Sequence, residues 1–235
     1  MKSTSKIALF ALVAALAVAG SPNASAQLLF SNLNQTVAGP NNLNSGNNRL
    51  ATEFRTGAAA STLTGLSLRV FNGDNVAHDF NAYLYADPSN LPGTLLATFT
   101  DVSPAVPGST FDFLTAFSLP GGYSLAGNTQ YWIATGYKEA ANDGTTGLLS
   151  TVSNSGDPGS VFTVSSPPGF AVSFNNGISF GDILTAQNFV FSLQGTVVPE
   201  PSAAVLGLAG ALVFFSRRLR QTRNAKPSIA RVAVS

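Results

Sequence analysis

The 235-residue chain has no cysteine, one histidine, one methionine and one tryptophan, and only 10% of its residues are charged. Without cysteine there is no disulfide framework, no thiolate metal site, no cysteine nucleophile and no lipidated N-terminal cysteine. One histidine, His78, removes most histidine-based metal and acid–base chemistry. Long apolar runs are confined to the two ends, which excludes a polytopic membrane protein. What is abundant is apolar: 45% of residues are hydrophobic, with 17 Phe, 22 Gly and 13 Pro. That is enough apolar surface to build a core, which a disordered polar chain lacks.

Both ends read as addresses. Lys2 and Lys6 precede an apolar stretch from Ile7 to Ala19, and Gly20 and Pro22 end it before Ala24-Ser25-Ala26. A basic start, a short apolar helix and a small-x-small site are the parts of a secretory signal peptide. Residues 1–26 are therefore expected to be removed by signal peptidase after Ala26, leaving Gln27 first. At the other end, Pro199-Glu200-Pro201 is followed by an apolar stretch from Ala203 to Phe215 and by Arg217, Arg218 and Arg220. At about 1.5 Å per residue that helix reaches about 20 Å, short of a hydrocarbon core of about 30 Å. The arginines favour the cytoplasmic headgroups, so the domain would lie outside and the tail, 221–235, inside. Pro199 and Pro201 keep the tripeptide extended at the outer surface.

Pro199-Glu200-Pro201, a short helix and an arginine cluster, in that order, resemble the PEP-CTERM sorting signal. The resemblance implies an exosortase, a membrane-embedded transpeptidase-like protease, as processing partner, and a producing cell that is Gram-negative and makes exopolysaccharide. The 15 residues after Arg220 are longer than the tail usual in that family. An ordinary single-pass tail anchor is the other reading.

The stretch 27–198 is one domain in size. It holds four basic residues (Arg49, Arg55, Arg69, Lys138) and ten acidic ones, a net charge of −6. The overall +1 averages over the two tags. An acidic domain without a basic patch excludes nucleic acid as a partner. Period-2 alternation predicts strands: Leu66, Leu68 and Val70 against Ser67 and Arg69; Phe80, Ala82 and Leu84 against Asn81, Tyr83 and Tyr85; Phe111, Phe113, Phe117 and Leu119 on one parity; the run Tyr131–Thr135; Ala171 to Phe180; and Phe189, Phe191 and Leu193. Turn signals separate them, among them Asp87–Gly93, Pro120-Gly121-Gly122, Ala126-Gly127-Asn128 and Asn175-Asn176-Gly177. The expected fold is all-β, an antiparallel two-sheet sandwich of jelly-roll type, flanked by the signal helix and the short transmembrane helix.

Leu50-Ala51-x-x-Phe54-x-Thr56-Gly57, Leu63-x-Gly65-Leu66-x-Leu68, Tyr83-Leu84-Tyr85-x-Asp87, Leu91-Pro92-Gly93-x-x-Leu96-Ala97 and Leu125-Ala126-x-Asn128-Thr129-x-Tyr131-Trp132 follow the order of choice-of-anchor R domains, which this region resembles. Arg49 and Thr52 stand where that family usually has Trp and Gln. The resemblance implies an exported surface β domain and carries no enzymatic activity.

Chemistry within the domain is sparse. His78 beside Asp79 lacks the nucleophile elbow of a hydrolase, and a strand places the two on opposite faces, so His78 reads as solvent-facing. A carboxylate pair among the ten acidic residues would suit glycoside hydrolysis, and loss of activity on mutating single acids such as Asp79 or Asp112 would be its sign. Asn142-Asp143-Gly144 and Asp157-Pro158-Gly159 are turns without the ligand density of a calcium loop. Tyr83, Tyr85 and Trp132 are candidates for glycan contact, since aromatic faces stack on sugar rings. The expectation is an exported, non-enzymatic surface or extracellular-matrix protein with no catalytic residues, metal or cofactor. Its alternatives are a carbohydrate-binding module acting on exopolysaccharide and a glycoside hydrolase.

Overall fold

The computed structural model describes residues 27–42, 47–138, 146–151, 155–164, 169–185 and 187–198. The signal segment with Ala24 and Ala26, the motif Pro199-Glu200-Pro201, the helix 203–215 and Arg217, Arg218 and Arg220 lie outside the described residues. Among the described residues no helix is long and apolar enough to cross a membrane.

The described chain is all-β. In chain order the strands are β1 (Gln27–Ser31), β2 (Gly39–Asn42), β3 (Arg49–Arg55), β4 (Ser61–Asn72), β5 (Phe80–Ala86), β6 (Leu95–Thr98), β7 (Thr100–Asp101), β8 (Thr110–Leu125), β9 (Gln130–Tyr137), β10 (Thr146–Thr151), β11 (Gly169–Ser173), β12 (Gly181–Thr185), β13 (Asn188–Phe189) and β14 (Phe191–Val197). They form two antiparallel sheets. In the first, β1, β14, β4, β10 and β13 follow one another, with β8 also on β4, β7 on β8 and β2 on β10. The second runs β12-β11-β3-β9-β5-β6.

The alternation read from the sequence sets which face each sheet buries. Leu66, Leu68 and Val70 from β4, with Phe191 and Leu193 from β14, meet Phe80, Ala82 and Leu84 from β5 and Tyr131, Ile133 and Tyr137 from β9 in one core. Stacked and tilted aromatic rings fill it, among them Phe54 on Phe162 and Phe30 on Phe191. Each such side chain removes a large apolar area from water, and this core does the work that disulfides do in small secreted domains.

Two expectations fail at β8, for one reason. Pro120-Gly121-Gly122 is not a turn between strands; it lies inside β8, where Leu63 pairs with Tyr123 and Gly65 with Ser118. Leu119 to Gly122 therefore loop out of the ladder, with Gly121 and Gly122 at positive φ. Phe111 does not share the core face of Phe113 and Phe117; it is 66% exposed. Val70 pairs with Phe113 but Asn72 with Thr110, so Phe111 and Asp112 together oppose Phe71, and Asp112 adopts φ 68°. A bulge inserts a residue and inverts the parity on one side of it. The pattern Ala171 to Phe180 also ends early, since β11 stops at Ser173 and the chain turns at Asn176 and Gly177, at φ 60° and 78°. Ile178 N donates to the Asn175 carbonyl at 3.3 Å, closing a β-turn inside the longer connection from β11 to β12.

Candidate functional site

The outer face of the second sheet carries the residues with unusual surroundings. Arg49, Ala51 and Glu53 alternate outward along β3, while Leu50 and Phe54 point into the core. On β9 the outward residues are Trp132, Ala134 and Gly136; on β5 they are Tyr83 and Tyr85. Ladder pairing sets Trp132 between Glu53 and Tyr85, and Ala134 between Ala51 and Tyr83. Ala51, Ala134 and Ala171 make a low floor, on which Tyr85 and Trp132 pack with Tyr83, Leu91 and Phe180 beside them.

Arg49 lies across this floor. Its guanidinium carbon sits 3.8 Å above the centre of the Tyr83 ring, a cation–π arrangement. Nη1 donates to the Tyr85 hydroxyl at 2.5 Å and Nη2 to Oδ1 of Asn176 at 2.7 Å. Gly136, beneath the Arg49 stem, leaves room for it: a Cβ there would stand 3.2 Å from Arg49 Cγ and 2.8 Å from the Asn48 carbonyl oxygen. Burial raises the Tyr85 phenol pKa above its usual range, and the adjacent guanidinium offsets part of that rise.

Glu53 is the second unusual group. It is buried, and Gln130 donates its side-chain amide to Oε2. Burial raises its pKa above the ordinary carboxylate value, Gln130 opposes the rise, and the negative charge of Asp87 adds to it. The indole Nε1 of neighbouring Trp132 is buried without a hydrogen-bond partner.

The expected aromatic platform is corrected here. Trp132 is fully buried and Tyr85 is 2% exposed, so neither offers a ring face to a sugar. Tyr83 and Tyr85 do face away from Phe80 and Leu84, as the alternation predicts. The chain segment around Phe180 covers that face, with the Phe180 ring edge-on to Tyr85 at 5.3 Å. Tyr83 is half-buried, and one face of its ring is taken by Arg49.

His78 also differs from expectation: it is buried, not solvent-facing. It lies in an isolated bridge to Val106 rather than a regular strand, its Nε2 is 2.5 Å from Oδ2 of Asp74, and its ring meets Tyr137 edge-on. Asp79 pairs instead with Lys138 at 3.2 Å, and Asp112 with Arg69. Each of these two carboxylates is thus held by a cation. Asp157 accepts from Ser31 Oγ at 2.5 Å, Asn34 N at 3.3 Å and Gln35 Nε2 at 3.4 Å, which ties its turn to the end of β1. Asn142-Asp143-Gly144 lies outside the described residues. Among the described residues no three His, Asp or Glu side chains gather to hold a metal. Gln27, the expected first mature residue, opens β1 and is exposed.

Sequence reasoning missed the pairing of Arg49 with Asn176 and the burial of Glu53 on the same sheet face. Parity alone puts Arg49 and Glu53 on the face of Ala51; the reach of the 174–180 turn back over that face left no local signal.

No family model and no curated protein matches the chain. Solved structures with some likeness include that of infectious bursal disease virus Gx strain, 12% identical over 86% of this chain and 51% of that chain, with a TM-score of 0.31. Another is the infectious bursal disease virus VP2 subviral particle, 13% identical over 84% of this chain and 48% of that one, with a TM-score of 0.19. The chain spans about half the length of these structures.

Proposed function

We propose that this chain is an exported, non-enzymatic surface or extracellular-matrix protein, delivered by an N-terminal signal helix and sorted through a PEP-CTERM-like tail. The observation that carries the reading is the order of three parts in the sequence: Pro199-Glu200-Pro201, the apolar helix 203–215, and Arg217, Arg218 and Arg220. The short helix pauses the chain in the inner membrane with the arginines inside, and an exosortase cuts near the tripeptide. The released domain, a sandwich of jelly-roll type, then resides at the cell surface or in the exopolysaccharide.

Strand placement is compatible with both cuts. β1 starts at Gln27, the residue after the expected signal cleavage, and β14 ends at Val197, two residues before Pro199. Among the described residues, neither cut removes a ladder partner. Charge agrees as well: a domain at −6 has little affinity for anionic headgroups once its basic tail is gone.

The test is the intact mass of the native protein in membrane, surface and medium fractions. The expected product begins at Gln27 and lacks everything beyond the Pro199–Pro201 region, and extra mass marks an attached partner. A mature chain that stays in the membrane and keeps Arg217 to Ser235 overturns the sorting reading.

A further inference from the structure

Among the described residues Arg49 is a buried cation with no carboxylate partner. Among the described residues Arg69 has Asp112 and Lys138 has Asp79, while Arg55 is exposed. Arg49 is only 9% exposed, and its hydrogen-bond partners are the neutral Tyr85 hydroxyl and the Asn176 amide oxygen. Buried charges are ordinarily paired. A guanidinium has five N–H donors in a planar fork that fits a carboxylate in bidentate fashion. Two of the five are used here, both on uncharged oxygens.

The Asn176 oxygen is supplied by a small, self-braced unit. The Ser173 hydroxyl donates to Asn175 Oδ1 and accepts from Gly177 N, both at 2.9 Å; Asn175 Nδ2 donates to Ser179 Oγ at 2.8 Å, and Ser179 N to Asn175 Oδ1 at 2.9 Å. These bonds lie within the turn. Among the described residues, its polar ties to the rest of the domain are Asn176 N to the Asn47 carbonyl at 2.7 Å and Arg49 Nη2 to Asn176 Oδ1. A Cβ at Gly177 would collide with the guanidinium and the Tyr85 hydroxyl, so the turn closes directly on Arg49. The same turn leaves Phe174 and Ile178 72% and 85% exposed, which closure does not relieve. In the same cluster as Tyr85, Trp132 keeps a buried N–H without an acceptor. A braced turn with few ties, resting on an unneutralised cation, is built to lift as a unit.

We propose that Arg49 is the receptor for a ligand carboxylate, that of a uronic acid residue in an acidic polysaccharide, and that Asn176 Oδ1 holds the place of a carboxylate oxygen while the site is empty. The 174–179 turn is the flap: the ligand's carboxylate displaces Asn176 from Nη2, and the hydroxyl and amide groups of Tyr85, Asn175 and Ser179 meet the sugar hydroxyls. One isolated cation on a domain of net charge −6 suits a polysaccharide with scattered carboxylates and disfavours a dense polyanion such as nucleic acid. The Tyr83 ring does not stack on the sugar, because Arg49 covers it. This inference concerns the described domain alone and is independent of the sorting reading, which the intact mass decides separately.

Trp132 is the sole tryptophan and belongs to the same cluster, so its fluorescence reports the site. The full chain in mild detergent is titrated with a galacturonate trimer, with the fully methyl-esterified trimer, and with a peptide carrying one free carboxylate. The acid trimer is expected to shift Trp132 emission with saturation, and the ester and the peptide to bind at least tenfold more weakly. Arg49→Lys should weaken the acid trimer at least tenfold. Asn176→Asp gives Arg49 an internal carboxylate of nearly the same shape. It should abolish binding while raising the melting temperature, which keeps the test valid if the Arg49 variant fails to fold. Equal binding of acid and ester, equal binding of the peptide, no response of Trp132 to any of the three, or undiminished binding by Asn176→Asp each overturns the proposal.

Discussion

Replacing Asp112 separates two roles that one side chain combines. Its backbone is at φ 68° in the β8 bulge, and its carboxylate grips Arg69, with Nε at 2.6 Å from Oδ1 and Nη2 on Oδ2. Arg69 in turn donates to the Leu33 carbonyl at 3.1 Å. The carboxylate is 38% exposed, so the ion pair is worth about 0.5–1 kcal/mol. Left-handed φ costs a residue with a plain Cβ about 1–2 kcal/mol, less for Asp or Asn. Asp112→Ala loses on both counts and should cost about 1.5–3 kcal/mol. Asp112→Asn keeps the tolerance for φ and should cost about 0.5–1 kcal/mol. Asp112→Gly gains in backbone freedom about what it loses in charge, and should stay within about 1 kcal/mol of the parent. Urea unfolding at pH 7 reads the order, with unchanged m-values as the check that the unfolded states are alike. If Asp112→Gly falls as far as Asp112→Ala, the bulge conformation is not what selects this residue. A pH arm isolates the charge. Hydrogen bonding to Arg69 lowers the Asp112 pKa below its ordinary 3.8. Its contribution is therefore fully present above 3.8 and is lost as pH falls through the lower folded value, so the gap between parent and Asp112→Asn should close there.

Glu53 has the opposite sign. Burial raises its folded pKa above 4.5, so ionising it costs stability that is absent at lower pH and is in full force above the raised value. Glu53→Gln should melt higher than the parent at pH 7 and equal to it near pH 4 in a thermal scan; a deficit at pH 7 would show that the carboxylate is needed as an anion. Gly195 sits at the register shift of β14, where a Cβ would collide with the Thr62 carbonyl oxygen and approach Leu29 Cδ1 at 2.7 Å. Gly195→Ala should cost about 1–3 kcal/mol by overpacking, read as a lower urea midpoint, and an unchanged midpoint would place the shift elsewhere.

The core was legible because a strand's parity is simple. Phe80, Ala82 and Leu84, and Phe189, Phe191 and Leu193, needed only alternation to be placed, and all are buried. Phe111 was misplaced because the sequence Thr110-Phe-Asp-Phe113 does not announce a bulge; Asp is merely tolerant of φ > 0, and only pairing with β4 requires it there. His78 was misjudged because its burial comes from Val106, Tyr137 and Asp74, two of them remote in sequence. Trp132 and Tyr85 lie on the face that parity gives them, but that Phe180, far downstream in the chain, packs edge-on against Tyr85 is a tertiary fact. Arg49 and Asn176, 127 residues apart, escaped for the same reason.

The position of β14 has a mechanical consequence. It lies between β1 and β4, antiparallel to both, with Gln27 opposite Gly195 and Val197 opposite Ser61. A load applied through Val198 along the strand axis bears on both flanking ladders at once, in shear. The bonds must then fail together rather than one at a time, as they would if the strand were peeled from an edge. A tether at this end of the domain would transmit force into a strand held on both sides, and yielding would require losing Phe191 and Leu193 from the core in the same event.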